Sequence, residues 1–203
     1  AMKGIRICFY FCFLFSGLLV AQTQEIIFNH FTVNDGISQS SVSCILQDAE
    51  GYIWFGSQNG LNKFNGYSFE KYYPNSFDST SLSHGWIYSI AEDNEGNIWA
   101  GTRKGLNKFD KKKGSFEQIA NSTNDSSIIS HKPVYGVTYY EGQLLINTPP
   151  VLSIMDLHNR HMVHYSTNID IEKKTGSPDR GYTVLVDKQK NCWVASPKGL
   201  SRF

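Results

Sequence analysis

Aspartates recur in this sequence at positions where they could serve metal binding. Asp48, Asp93 and Asp187 each stand a few residues ahead of a tryptophan, in a short polar segment of the kind that can bind calcium. A calcium loop of the EF-hand type needs oxygen ligands at alternating positions and a closing glutamate, and these segments have neither. We therefore interpret the three aspartates as turn residues.

Two further clusters raise zinc binding and acid–base catalysis as hypotheses. Histidines stand at positions 158, 161 and 164, but His161 and His164 point to opposite faces of a strand and do not converge on one ion. Glu92 and Glu95 flank Asp93 within a turn, where a catalytic carboxylate pair is not expected. We predict no catalytic residue, no metal site and no cofactor in this chain.

The elements that position these side chains belong to a repeat. Residues 42–64 and 87–109 align without gaps, with 12 of 23 positions identical. Trp54, Trp99 and Trp193 mark three copies, and Leu145 holds the same place in a more divergent copy, at spacings of 45, 46 and 48 residues. A fixed period of about 40–50 residues that is rich in strand formers predicts a β-propeller.

Each repeat is expected to form one four-stranded antiparallel blade of an all-β fold. In the first repeat we predict strands over residues 41–47, 52–57, 61–64 and 68–73, separated by turns with Asp, Asn and Gly. The four repeats cover about residues 39–73, 84–119, 131–166 and 180–203. Residues 26–32 predict another strand, which closes a ring either of these four blades or of a larger propeller of which this chain is an N-terminal fragment. We favour the fragment.

The pattern also predicts how neighbouring blades pack. Trp54 and Phe64 are large and recur, so we expect them to wedge between blades. Gly56 and Gly101 follow each tryptophan by two residues, where we expect the neighbouring backbone to approach closely. Cys44 and Cys192 are expected to be buried thiols, although a bridge between them stays open if the first and fourth repeats are neighbours.

The beginning of the sequence differs from the repeats. Lys3 and Arg6 precede an apolar run of about 14 residues that ends at Ala21, so we predict a signal peptide over residues 1–21 and blades over 22–203. An uncleaved anchor is the alternative, but the run is short for a membrane span of about 20 residues. Without the leader, 17 Lys and Arg face 18 Asp and Glu, so no basic surface indicates a nucleic-acid partner.

The repeat D-x-x-G-x-I-W-x-G-(S/T)-x-x-G-L-x-x-F resembles the two-component regulator propeller repeat. Residues 48–64 and 93–109 carry it in full, and residues 187–203 carry it in part. Residues 31–38 resemble the usual opening of such sensors, and residues 65–69 resemble the end of their first repeat. The third copy departs from the pattern at Leu145 and Asn147.

This resemblance implies the periplasmic sensor region of a hybrid two-component system in a Gram-negative bacterium. In that family, seven-bladed propellers precede a membrane helix and a cytoplasmic histidine kinase, and the sensors bind oligosaccharides and act as homodimers. The segment itself would not be an enzyme, and it would reach the membrane only through a downstream region. A secreted propeller lyase and a protein-binding scaffold propeller remain alternatives.

Ligands of propellers bind at the mouth that is rimmed by the loops between second and third strands and by the connections between blades. Aromatic rings with hydrogen-bonding side chains at these places suit sugars, which present apolar faces and hydroxyl edges. The candidate ligand-binding residues are Gln58, His84, Trp86, Tyr88, Arg103, His131, Tyr135, Arg180, Tyr182 and Lys198.

Overall fold

The computed structural model of this 203-residue chain describes residues 27–119, 132–166, 183–196 and 199–203. The chain divides into a unit over Ala1–His30 and a unit over Phe31–Phe203. In the described residues the second unit contains 15 strands and a short 3-10 helix, Val33–Asp35. Every sheet is antiparallel and built from consecutive strands, so the chain has the predicted all-β, bladed architecture.

The first blade confirms the predicted strands to within one residue at each end. Its strands are β1 Val42–Gln47, β2 Ile53–Ser57, β3 Gly60–Phe64 and β4 Phe69–Tyr72, paired in that order. The bounds were predictable because turn chemistry separates the strands.

The second and third blades repeat this design, and the fourth has three described strands. The second contains β5 Ile87–Glu92, β6 Ile98–Thr102, β7 Gly105–Asp110 and β8 Ser115–Ile119. The third contains β9 Gly136–Tyr140, β10 Gln143–Thr148, β11 Val151–Asp156 and β12 Met162–Ser166. The last contains β13 Thr183–Val186, β14 Cys192–Ser196 and β15 Gly199–Arg202.

The hydrophobic core lies between the blades. One cluster joins Trp54 and Leu61 of the first blade to Ile87, Phe109 and others of the second. A second cluster joins the second and third blades, and a third joins the third and fourth. Trp54 is fully buried in this first cluster, which confirms its interpretation as a wedge. Phe64 does not join the cluster: it is half-buried, and its ring packs against Phe31 and Phe69. The three clusters therefore cover the second and third sheets on both faces, whereas the first and last sheets have one described neighbour each and leave Ile45 and Leu200 exposed.

Gly101 allows the second and third blades to approach each other. A Cβ atom there would lie 2.6 Å from the carbonyl oxygen of Val134, at the start of the third blade. Gly56 makes the equivalent contact, where a Cβ atom would lie 2.8 Å from Cγ2 of Ile87 and would also clash with Cys44. The predicted close approach of the neighbouring backbone is confirmed at Gly101, whereas at Gly56 the neighbouring blade approaches through the Ile87 side chain.

The two cysteines that the structure describes are free thiols. Cys44 lies in β1 and Cys192 in β14, in different blades. Burial raises the pKa of the Cys44 thiol to about 11, against smaller opposing contributions from hydrogen bonds to Ser43 and Gly56. The interpretation as single thiols is confirmed, although both residues are half-buried rather than buried, and a raised pKa keeps the Cys44 sulfur protonated and poorly reactive.

One predicted element is not formed. A strand is predicted over residues 26–32, but the structure gives none to the described part of this segment, residues 27–32. An extended segment becomes a strand only by pairing with an edge, and no described ladder includes these residues. Their role in ring closure stays a prediction. The predicted signal peptide, residues 1–21, lies outside the described residues.

Candidate ligand-binding rim

The loops after β2, β6 and β10 lie at one end of the blades, which we call the rim. The β2–β3 loop is hydrogen-bonded to the start of the following blade, and the β6–β7 loop is hydrogen-bonded to the start of its own blade. The amide of Gly60 donates to the carbonyl of Gly85 at 2.7 Å, and the amide of Arg103 donates to Trp86 at 3.1 Å. The amide of Val134, at the start of the third blade, donates to the carbonyl of Thr102 at 2.9 Å. The rim is thus a continuous surface in which these loops and the starts of the blades are hydrogen-bonded to each other.

A buried polar latch fixes the chain just before the rim residues of the second blade. The backbone N–H of Ser83 donates to Oδ1 of Asn107 at 2.9 Å, and Nδ2 of Asn107 donates to the Ser83 hydroxyl at 2.8 Å. Ser38 and Asn62 make the same two bonds in the first blade. This latch was not predicted, although the Ser and Asn recur at the same places in both repeats.

Four of the predicted residues meet in one line of side chains at the rim. The guanidinium of Arg103 lies 5.3 Å from the centroid of the Trp86 ring. The Trp86 and Tyr88 rings are 5.8 Å apart, and the Tyr88 and Tyr135 rings are 4.8 Å apart. The three rings are half-buried and Arg103 is exposed. We call these four residues the aromatic line.

Two more predicted residues, Gln58 and His84, line an adjoining cleft of about 850 Å³. The cleft is formed by the β2–β3 loop and the connection from β4 to β5, and Lys104 and Phe77 also line it. Phe77 is 99% exposed. The sequence offered a signal that was not used, since Phe77 stands alone among the turn-forming residues 74–79.

His84 is held neutral at the junction of the cleft and the aromatic line. Its Nδ1 accepts a hydrogen bond from the backbone N–H of Trp86 at 2.9 Å, which leaves the proton on Nε2 of the neutral ring. Burial lowers the pKa of His84, and the positive charges of Lys104 and Arg103 lower it further. The imidazole can therefore donate a hydrogen bond from Nε2 near neutral pH.

The remaining predicted site residues are His131, Arg180, Tyr182 and Lys198. All four lie outside the described residues, so their places at the rim stay predictions.

The opposite end of the blades, which we call the turn end, carries the recurring aspartates. Oδ1 of Asp48 accepts hydrogen bonds from the backbone N–H groups of Glu50 and Tyr52, at 3.1 and 2.9 Å, and Oδ2 accepts the Trp54 indole N–H at 2.8 Å. Gly51 closes the turn with a φ of 91°. The predicted turn role is confirmed.

The same carboxylate–indole bond recurs in the second and fourth blades. Asp93 accepts from Trp99, and Asp187 accepts from Trp193, each at 2.7 Å. This bond to the tryptophan six residues later was not predicted. It satisfies the one polar atom of each large ring and ties the turn to the blade.

Lys111 departs from its prediction. From the sequence, the run of three lysines from 111 to 113, directly before Gly114, predicts a solvated turn, but the Lys111 side chain is only 13% exposed. Its Nζ lies 2.9 Å from Asp48, 3.5 Å from Glu50 and 3.0 Å from Glu92. The β7–β8 turn of the second blade reaches the first blade, and this geometry brings the ammonium among carboxylates.

The histidine cluster is dispersed, as predicted. His164 bonds through Nδ1 to the Ser153 hydroxyl at 2.8 Å, and His158 and His161 are exposed around the β11–β12 turn. The described residues contain no group of three His, Cys, Asp or Glu placed to hold a metal ion. None of the helices in the described part of the chain has the length and apolar character needed to cross a membrane.

Comparison with known proteins supports the interpretation of the repeats. The model of the two component regulator propeller family matches residues 36–59 and 81–104. Histidine kinase P4 of Formosa agariphila is 45% identical over 83 residues, which cover 40% of this chain and 6% of that protein. The chain thus spans a small part of that relative.

Two solved structures show the same fold. The extracellular domain of BT4673 from B. thetaiotaomicron, described as a hybrid two component system, aligns with a TM-score of 0.65 and 21% identity over 87% of this chain and 21% of that one. Virginiamycin B lyase from Staphylococcus aureus aligns with a TM-score of 0.54 and 13% identity over 80% of this chain and 55% of that one. At these identities the likeness is one of fold alone.

The family match overlaps the first two copies of the sequence repeat. These copies form the first and second blades of the structure. Residues 36–59 and 81–104, in the first two blades, are therefore similar to the two component regulator propeller family.

Proposed function

We propose that this chain is part of the exported ligand-sensing propeller of a hybrid two-component sensor, and that an oligosaccharide binds at its rim. The observation that carries the proposal is the aromatic line, in which three half-buried rings of consecutive blades stand beside an exposed guanidinium. The full-length protein would pass the signal to a histidine kinase, as the name of the Formosa relative suggests.

The chemistry of the rim supports a saccharide rather than an apolar ligand. Trp86 and Tyr88 offer ring faces against which the apolar face of a sugar can pack. His84 offers an N–H donor, and Gln58 offers an amide that can bind hydroxyl groups. Polar groups of this kind around an apolar surface fix the orientation of a ligand.

A sensor of this kind needs a binding surface shared by blades that can shift relative to each other. The aromatic line crosses from the second blade, with Trp86 and Tyr88, to the third, with Tyr135. A ligand that contacts both blades would favour one packing arrangement of the pair. In a homodimer, that preference would reach the kinase through the downstream region.

The test is a kinase-output assay with the full-length protein and a panel of oligosaccharides. Trp86→Ala should weaken the response to the activating sugar by about tenfold or more, because a central aromatic contact is lost. Tyr67→Ala is the matched control, since Tyr67 is a 96% exposed ring on the β3–β4 turn, away from the rim. An unchanged dose response in Trp86→Ala would contradict the proposal.

A further inference from the structure

Three cations of the turn end are paired with carboxylates, whereas the exposed Lys112 and Lys188 of the same turns form no ion pair within the described residues. Lys111 lies against three carboxylates, Arg160 makes two bonds to Glu117 at 2.7 and 3.1 Å, and Lys190 lies 3.2 Å from Glu141. These pairs join neighbouring blades. The positive charges of Lys111, Arg160 and Lys190 thus help to hold neighbouring blades together.

The cations of the rim are not neutralised in this way. Within the part of the chain that the structure describes, neither Arg103 nor Lys104 forms an ion pair with a carboxylate. Both side chains belong to the exposed β6–β7 loop. Their combined positive field is felt by His84, whose pKa is lowered by burial and then by each of the two cations.

Arg103 is also held in place before any ligand arrives. Its backbone N–H is bonded to Trp86, and its guanidinium stands over the same indole ring, 5.3 Å from the centroid. A stacked guanidinium loses less freedom on binding than a free one, and its N–H fork matches two oxygens of a carboxylate or sulfate. The free positive charge is thus fixed beside the sugar-binding rings.

From these contacts we propose that the rim recognises an anionic saccharide, one that carries a carboxylate or sulfate group. The anionic group binds Arg103 and Lys104 while the sugar ring packs against Trp86 and Tyr88. This inference rests on the proposed function and narrows its ligand class. It also explains why Arg103 and Lys104 stand in the β6–β7 loop, since neither charge forms an ion pair that would stabilise the blade within the described residues.

The test is a binding titration of the full chain with three matched probes. These are an oligomer of galacturonic acid, its neutral galactose counterpart and a sulfated galactose oligomer. We expect an acidic probe to bind at least about tenfold more tightly than the neutral one, and Arg103→Gln to remove most of that difference. Added salt should weaken the acidic probe only.

Lys113→Gln is the control, because it removes a cation that is 77% exposed at the turn end. Equal binding of acidic and neutral probes, with Trp86→Ala weakening both, would overturn the anionic inference and leave the rim proposal standing. If no probe binding depends on Trp86, the rim proposal fails and the inference fails with it. Preference for sulfate over carboxylate, or the reverse, identifies which anionic group the rim selects.

Discussion

The rim and the turn end are built from the same repeats but carry opposite kinds of polar group. At the turn end, Asp48 binds backbone, indole and ammonium groups at once, so its hydrogen-bonding capacity is used within the fold. At the rim, Arg103 stacks on an aromatic ring but has no carboxylate partner among the described residues. The difference shows which positions of the repeat hold the framework together and which have polar groups open to solvent.

At the turn end, the buried carboxylates of Asp48 and Asp93 find their further hydrogen-bonding partner in two different ways. Each buried aspartate needs a positive or amide partner beyond its indole. Asp48 receives Lys111 from the next blade, whereas Asp93 receives the amide of Asn97 from its own turn, at 3.0 and 3.1 Å. Tyr52 stands at the place of Asn97 in the first blade and cannot make that bond. The cation therefore compensates for a missing amide.

The largest effect is expected from Asp48→Ala at the turn end. The substitution leaves the buried Trp54 N–H without its acceptor and removes one of the three carboxylates around the Lys111 ammonium, so it should lower the free energy of unfolding by about 3 kcal/mol. Urea denaturation followed by tryptophan fluorescence measures it. Asp78→Ala is the control, because Asp78 caps a turn in the exposed β4–β5 connection. If both variants lose the same stability, the contrast between the two ends is wrong.

A smaller effect is expected from Lys111→Met compared with Lys113→Met. Because Lys111 contacts three carboxylates, Lys111→Met should lower the free energy of unfolding by about 2 kcal/mol. Because Lys113 is exposed, Lys113→Met should lower it by less than about 0.5 kcal/mol. Thermal unfolding of the two variants in parallel measures the difference. Equal melting temperatures would restore the solvated-turn interpretation of Lys111.

Acid should act through the same cluster. Burial of Asp48 would raise its pKa, but hydrogen bonds from Lys111, Trp54 and the Tyr52 amide outweigh burial and hold the pKa below 3.8. This contribution to stability is present above pH 3.8 and is lost as the pH falls through the lowered pKa. Urea titrations from pH 7 to pH 2 should show a steeper loss in the wild type than in Lys111→Met. Parallel curves would contradict this.

The smallest effect on stability is expected at the rim. Arg103→Gln removes an exposed side chain that makes no ion pair within the described residues, so the free energy of unfolding should change by less than about 0.5 kcal/mol. The same urea denaturation measures it. A loss as large as that of Lys111→Met would mean that Arg103 belongs to the framework.

Much of the fold could be predicted because the turn residues and the large packing residues stand at fixed places within each copy of the repeat. The first-blade strands follow directly from turns that contain Asp, Asn and Gly, and the glycines at 56 and 101 follow from their fixed distance to the tryptophan. The failures are of another kind. The Lys111 contacts depend on how far one blade reaches over the next, which no local pattern encodes.

The candidate site was predicted in part for the same reason. Trp86 and Tyr88 stand at the start of a strand whose bounds were predictable, and Tyr135 follows from the blade repeat. The latch between Ser83 and Asn107 was missed because both residues look like ordinary strand and loop residues. Asn147 replaces the packing glycine of the third repeat, is fully buried, and makes no side-chain hydrogen bond with the described residues; nothing in the structure explains it.

The most direct test of the contrast between the two ends is amide hydrogen exchange on the full chain, with and without a bound saccharide. The account predicts that protection rises at the rim, in the β6–β7 loop and at residues 84–88 and 135. It also predicts no change at the turns that follow Asp48 and Asp93. Protection confined to the turn end, with an unchanged rim, would contradict the central claim that the rim is the binding surface.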